Sequence, residues 1–138
     1  MFDFLLRPYR RNFGSDKEFY AAIDDMFGFI PNNIELYKLA LIHKSASVVL
    51  EDGRQINNER LEFLGDSVLS VIVASYLFEN FKTIPEGELT KLRASLVCEK
   101  ALCSFSREIG LGEFLHLGKG EEKGGGRERD SILADAFE

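Results

Sequence analysis

Proline and cysteine are scarce in this chain of 138 residues, with three prolines and two cysteines. No uninterrupted apolar run approaches the roughly 20 residues that a membrane-spanning helix requires. The N-terminus, Met1-Phe-Asp-Phe-Leu-Leu-Arg-Pro-Tyr-Arg-Arg11, lacks the ordering of a secretory signal, so a soluble, cytoplasmic protein is expected. Cys98 and Cys103 have neither Cys-x-x-Cys spacing nor a neighbouring histidine. That argues against metal ligation through sulfur and predicts reduced thiols in or near the core. Gly118-Lys-Gly120 and Gly124-Gly-Gly126 resemble a phosphate loop only loosely, because the Gly-Lys-Ser/Thr ending and a preceding strand are missing; a flexible loop is expected. His43 and His116 have no nucleophile flagged beside them, and both are expected as core or surface residues rather than members of a Ser-His-Asp or Cys-His site.

What the chain does have is apolar mass: 45% of its residues are hydrophobic and 12% aromatic, enough for one compact domain with a full core. The net charge of −6, taken alone, argues against a polyanionic partner, since phosphate contacts need Lys and Arg. The charge is uneven, however. Basic residues bunch at Arg7, Arg10 and Arg11, at Lys82, Lys91 and Arg93, and at Lys119, Lys123, Arg127 and Arg129, while several acids fall inside apolar runs.

The apolar periodicity is helical throughout, with no persistent alternation of the kind strands show, and predicts an all-α fold. Residues 1–14 read as an extension outside the main domain, which runs over 15–138. Ser15-Asp-Lys-Glu18 fits a capping box, followed by the stripe Phe19, Ile23, Met26 and Phe27 and closed by Gly28 and Pro31. Asn33 can cap a second helix through Leu36, Leu39, Ala40 and Ile42, and Asp52-Gly53 marks a turn in the polar stretch 43–57. A long helix from Asn58 to Phe81 is apolar nearly all round, which places it in the middle of the domain or in a subunit interface. Helices near Glu86–Val97 and Glu99–Ile109 follow, the latter ended by Gly110 as a left-handed cap. Residues 110–129 read as glycine-rich and irregular, and Asp130 or Ser131 caps a last helix. That helix stops after about eight residues, short enough to be marginal without packing, and the expectation is that the parent protein continues and that the helix is cut short here.

Glu59, Glu62 and Asp66 open the long helix at spacings of three and four residues, so they share one stripe. Stacked like charges cost a helix a few tenths of a kcal/mol per pair, roughly, and a divalent cation would offset this. Asp135 and Glu138 form a second pair, three residues apart among Ile132, Leu133, Ala134, Ala136 and Phe137. Either pair alone could be ordinary helix acids bridged to Lys or Arg. Together, two acidic pairs in apolar surroundings suggest carboxylates converging on hard cations such as Mg²⁺ or Mn²⁺. Gly65 sits inside the long helix at a cost of about 1 kcal/mol, either to admit a close backbone or to leave room for a metal.

The segment Asn58-Glu-Arg-Leu-Glu-Phe-Leu-Gly-Asp-Ser67 resembles in full the signature of the ribonuclease III family. Leu41-Ile-His-Lys-Ser45 resembles the segment ahead of that signature, Glu86–Val97 its next helix, and Ser131–Glu138 its second acidic motif, so the resemblance spans about residues 16–138 in the family's order. It implies an all-helical, bacterial-type endonuclease domain that cuts double-stranded RNA by metal-dependent hydrolysis during RNA processing, leaving 5′-phosphate and 3′-hydroxyl ends. It further implies that Glu62, Asp66, Asp135 and Glu138 are the catalytic carboxylates that hold Mg²⁺, with Mn²⁺ as a substitute. Glu59 would support them through hydrogen bonds, and Glu86 matches a family acid near the subunit interface. Members of the family work as homodimers with the signature helix at or near the interface, and the apolar helix 58–81 agrees with that. Bacterial relatives often add a domain that grips the RNA duplex, which this sequence does not contain. The competing expectation is a non-catalytic RNA-binding or ribosome-associated protein that kept the fold; such a protein should have lost carboxylates that are present here.

Overall fold

The computed structural model describes residues 16–138, and the proposed N-terminal extension 1–14 and Ser15 of the proposed capping box lie outside them. The helices are α1 (Asp16–Phe27), α2 (Ile34–Ala40), α3 (Glu59–Asn80), α4 (Glu86–Leu96), α5 (Glu99–Glu108), α6 (Lys119–Lys123) and α7 (Asp130–Phe137). Three short 3₁₀ turns, Lys44–Ala46, Leu111–Phe114 and Gly126–Glu128, connect them. The all-α expectation holds apart from a small antiparallel hairpin, β1 (Val48–Val49) with β2 (Gln55–Ile56), turned by Gly53 at φ 81°. Two-residue strands are too short to leave an alternating pattern in the sequence.

Local chemistry explains most boundaries. Gly28 and Gly110 stand in the left-handed region at φ 72° and 71°, which stops α1 and α5 at little steric cost. Asn33 accepts from the Glu35 backbone N–H at 3.2 Å and caps α2. The start of α3 is capped one residue earlier than the signature suggests, by Asn57, whose Oδ1 accepts from the Glu59 N–H at 3.1 Å. At α7 the cap position belongs to Arg129, without a side-chain bond, and Asp130 instead pairs with Arg107 at 2.5 Å. Residues 110–129, expected to be irregular, instead hold two 3₁₀ turns and α6. Their glycines hide the helical pattern, and ion pairs Arg127–Glu122 and Arg129–Glu121, each 2.6 Å, hold the segment together.

The core forms where α1, α5 and α7 meet. Phe19 and Ile23 of α1, Leu102 and Cys103 of α5, and Ile132 and Leu133 of α7 are buried together, each large aliphatic side chain contributing about 2 kcal/mol of transfer free energy. Phe105 and Phe137 stack obliquely at 5.9 Å across the α5–α7 seam. Cys98, expected in or near the core, is exposed at the start of α5, because its position precedes the first buried turn; Cys103 is buried as expected.

α3 is not in the middle of this core. Leu77 is its one buried residue, Leu69 and Leu61 pack partly against neighbours, and Phe63 and Phe78 are 79% and 76% exposed. By length and apolar composition alone it would suffice to cross a membrane, a feature its interrupting charges obscure in the sequence. Of the two expected settings, the domain centre is therefore ruled out and an exposed apolar face remains.

Lys38 is an unanticipated core element. Its side chain is fully buried, and Nζ donates to Asp16 of α1 at 2.5 Å and to Glu35 at 3.1 Å. Burial depresses the ammonium's pKa, but the two acids outweigh that and hold it above its ordinary value. Replacing Lys38 by Met alone should cost about 3 kcal/mol in urea unfolding, because buried Glu35 loses its counter-charge. The double change Lys38→Met, Glu35→Leu should recover much of that loss.

Candidate active site

The site is assembled from the first turns of α3 and the end of α7, held in place by a strap between them. Residues 41–43 run beside residue 116: the His43 N–H donates to the His116 carbonyl at 3.1 Å, and the His116 N–H to the Leu41 carbonyl at 2.9 Å. On its other side the strap receives α3, as the Asn58 N–H donates to the Ile42 carbonyl at 2.8 Å. Asn58 in turn accepts from the Leu61 and Glu62 N–H groups at 2.8 and 2.9 Å, fixing the turn that bears Glu62.

Glu62, Asp135 and Glu138 face a cleft of about 280 Å³ whose remaining wall is largely apolar, including Leu61, Leu64 and Val68. Asp66 lies one turn along α3, exposed outside that wall, yet its charge acts on Glu138. Burial pushes Glu138 up to about 7, reinforced by the charges of Asp66, Asp135 and Glu62. Burial likewise raises Glu62, helped by Asp135 and Glu59, and raises Asp135. The four acids thus share one electrostatic field. Glu59 accepts from Asn57 Nδ2 at 3.3 Å and adds negative charge beside Glu62. Glu86 is not drawn into the cleft; at the start of α4 it accepts from Thr90 Oγ1 at 2.8 Å.

Gly65 is explained by α7. A Cβ at this position would land inside the van der Waals envelope of the Glu138 backbone carbonyl, so only glycine lets the end of α7 lie on α3 this closely. Of the two roles left open by the sequence, close backbone approach is the one the structure displays.

The donors are hard carboxylate oxygens, which suits Mg²⁺ or Mn²⁺. Among the described residues no three His, Cys, Asp or Glu side chains are gathered tightly enough to enclose one ion. Mutual repulsion keeps carboxylates apart, and their flexible torsions allow them to close on a cation; the helix positions fit the group, while the present rotamers do not form a finished shell.

A Ribonuclease-III-like family profile matches residues 33–138 of this chain. Ribonuclease 3 of Staphylococcus aureus strain JH9 is 52% identical over 111 residues, covering 80% of this chain and 46% of that protein. Two solved structures of the nuclease domain of ribonuclease III from Campylobacter jejuni superpose with TM-scores of 0.74 and 0.73 at 40% identity, covering 84% of this chain and 77% and 75% of theirs. The chain belongs to the ribonuclease III family. It spans about half the length of the curated ribonuclease 3 relatives it matches.

Within this ribonuclease III fold both histidines are structural, as expected. Burial lowers the pKa of His43 and His116, leaving them neutral near pH 7, and His43 Nδ1 accepts from the Ser45 N–H at 3.2 Å to cap the 3₁₀ turn. The glycine-rich stretch, expected as a flexible loop, is instead built from α6 and a 3₁₀ turn. Gly118 and Gly126 are small because the Ser45 backbone and Glu121 abut them. Sequence reasoning passed over Asn57 and Lys44; two consecutive Asn residues before an acidic helix turn are the signal that could have exposed the former.

The raised pKa of Glu138 has a thermodynamic consequence. Between its unfolded value near 4.5 and about 7 the folded chain holds a proton that the unfolded chain releases, so stability must fall as pH rises through that window. Melting temperature in EDTA should decline from pH 5 to pH 7 and flatten above it, and Glu138→Gln should remove much of the slope.

Proposed function

We propose that residues 15–138 are the nuclease domain of a cytoplasmic endoribonuclease that hydrolyses double-stranded RNA during RNA processing, with 5′-phosphate and 3′-hydroxyl products. The observation that supports this reading is that Glu62 of α3 shares one cleft with Asp135 and Glu138 at the end of α7, with Asp66 one turn further along α3, and that Glu62, Asp66 and Asp135 all act on the ionisation of Glu138. Closely set carboxylates are suited to binding cations before a phosphodiester, itself anionic, can approach.

Glu62, Asp66, Asp135 and Glu138 would hold Mg²⁺ or Mn²⁺. Bound there, such ions would supply an ionised water as nucleophile and neutralise charge on the attacked phosphate and the leaving oxygen. Glu138, with its pKa pushed up to about 7, is partly protonated near neutral pH, and holding a cation would favour its ionised form, so metal affinity should rise with pH. Glu59, tied to Asn57, keeps the first turn of α3 and hence Glu62 in register.

The reading includes a homodimer through α3. Phe63, Leu64, Val71, Ile72, Tyr76 and Phe78 are exposed on that helix, a contiguous apolar load unusual on a free surface. Lipid is a poor alternative cover, because Glu59, Arg60, Glu62 and Asp66 occupy the helix's first turns, where burial in hydrocarbon is costly. The exposure of Glu86 leaves it available near that interface.

A fully paired RNA duplex should be cut by the full chain in Mg²⁺ and left intact in EDTA. Asp66→Asn or Glu138→Gln should abolish cleavage, at least about a hundredfold, with duplex binding in a gel-shift assay largely kept. Full activity of either variant at ordinary Mg²⁺ would remove the site assignment, and failure of the wild type to cut would favour the binding-protein alternative. Phe63→Glu with Ile72→Glu should shift the sedimentation coefficient from dimer to monomer.

A further inference from the structure

Lys44 projects from the 3₁₀ turn between the strap and the hairpin, and the backbone around it is clamped on both sides. Toward the 116–118 segment, the Gly118 N–H donates to Ser45 Oγ at 2.9 Å, and Gly118 lies so close to the Ser45 carbonyl that a Cβ there would clash. Toward α3, Ser47 Oγ donates to the Lys44 carbonyl at 2.6 Å and accepts from Asn57 Nδ2 at 2.9 Å, the same amide that reaches Glu59. Two residues before Lys44, the Ile42 carbonyl holds the Asn58 N–H. The fixed turn therefore carries Lys44 beside the start of α3, outside the residues that line the acid cleft but near enough for its charge to reach Glu62 and Asp135.

An exposed lysine beside carboxylates ordinarily collapses into an ion pair. Among the described residues Lys44 forms none within 4 Å, whereas Arg127 and Arg129 of the neighbouring loop are spent on Glu122 and Glu121. Lys44 is thus an exposed cation beside an anionic site, held at the backbone and without an ion pair among the described residues. Lysine suits a phosphate as a compact point charge.

We infer that Lys44 is a substrate-binding residue whose ammonium takes a backbone phosphate of the RNA strand at the rim of the acid cleft, beside the phosphate that is cut. The inference rests on the nuclease reading for the identity of the polyanion. It gives an acidic chain a fixed positive contact that does not depend on bound metal, and it orients the strand across the carboxylates.

The test uses the full chain with a short, fully paired RNA duplex, with binding measured in an Asp66→Asn background and cleavage in the otherwise wild-type chain. Lys44→Ala should weaken binding about tenfold and reduce the slope of log affinity against log salt by about one. KM should rise by a larger factor than kcat falls, and Lys44→Arg should restore both the slope and KM. An unchanged salt slope in Lys44→Ala overturns the inference, whether affinity is kept or is lost together with a lowered melting temperature, because a structural lysine would behave that way. If the Asp66→Asn background binds duplex with the expected Lys44 dependence but the wild-type chain does not cut in Mg²⁺, the nuclease reading fails while the phosphate contact stands.

Discussion

The closeness of α7 to α3 at Gly65 is the constraint on which the site depends. α7 is eight residues long and would be marginal by itself. It persists because Ile132, Leu133, Ala134 and Ala136 are buried, against α5 among others. That burial contributes several kcal/mol by transfer bookkeeping, roughly, and the energy is used to bring Asp135 and Glu138 into the field of Glu62 and Asp66. A side chain at position 65 would separate the two helices, so the smallest residue in the signature controls the spacing of its largest charges.

α3 serves two masters through one amphipathic inconsistency. Its first turns present acids to the cleft, and its remaining exposed length is apolar. Neither face is satisfied within the protomer: the acids repel one another, and the aromatic and aliphatic side chains meet water. Both deficits have the same form, an energetic cost retained in the free chain that a binding event relieves. On the proposed reading, cations would answer the first and a second copy's apolar surface the second.

The strap at residues 41–43 and the 3₁₀ turn Lys44–Ala46 that follows it link these parts. The strap's backbone groups bond to residue 116 on one side and to Asn58 on the other, and the polar side chains of His43, Ser45, Ser47 and Asn57 close the turn. Burial holds His43 neutral, which suits a residue that accepts from a backbone N–H rather than one that transfers protons. Lys44 is the exposed charged side chain that this turn carries beside the start of α3.

The amino-acid sequence by itself determined the helical class, the start of α2, the C-terminal ends of α1 and α5 and the two acidic pairs, because caps, glycines and three- and four-residue spacings are local and act through the chain's own geometry; Ile42, read as part of the second helix, instead lies beyond its end at Ala40 and runs beside His116. It left three things undecided. Residues 110–129 look irregular because glycine masks a helical turn held by Arg127 and Arg129 ion pairs; Cys98 reads as a thiol in or near the core although it is exposed at α5's start; and Lys38, which no sequence motif singles out, is fully buried between Asp16 and Glu35. Which face of α3 is covered, why residue 65 is glycine, and how the acid pairs meet are facts about distances between segments some seventy residues apart. Only tertiary packing supplies those distances, since no local propensity records which helix will lie across another.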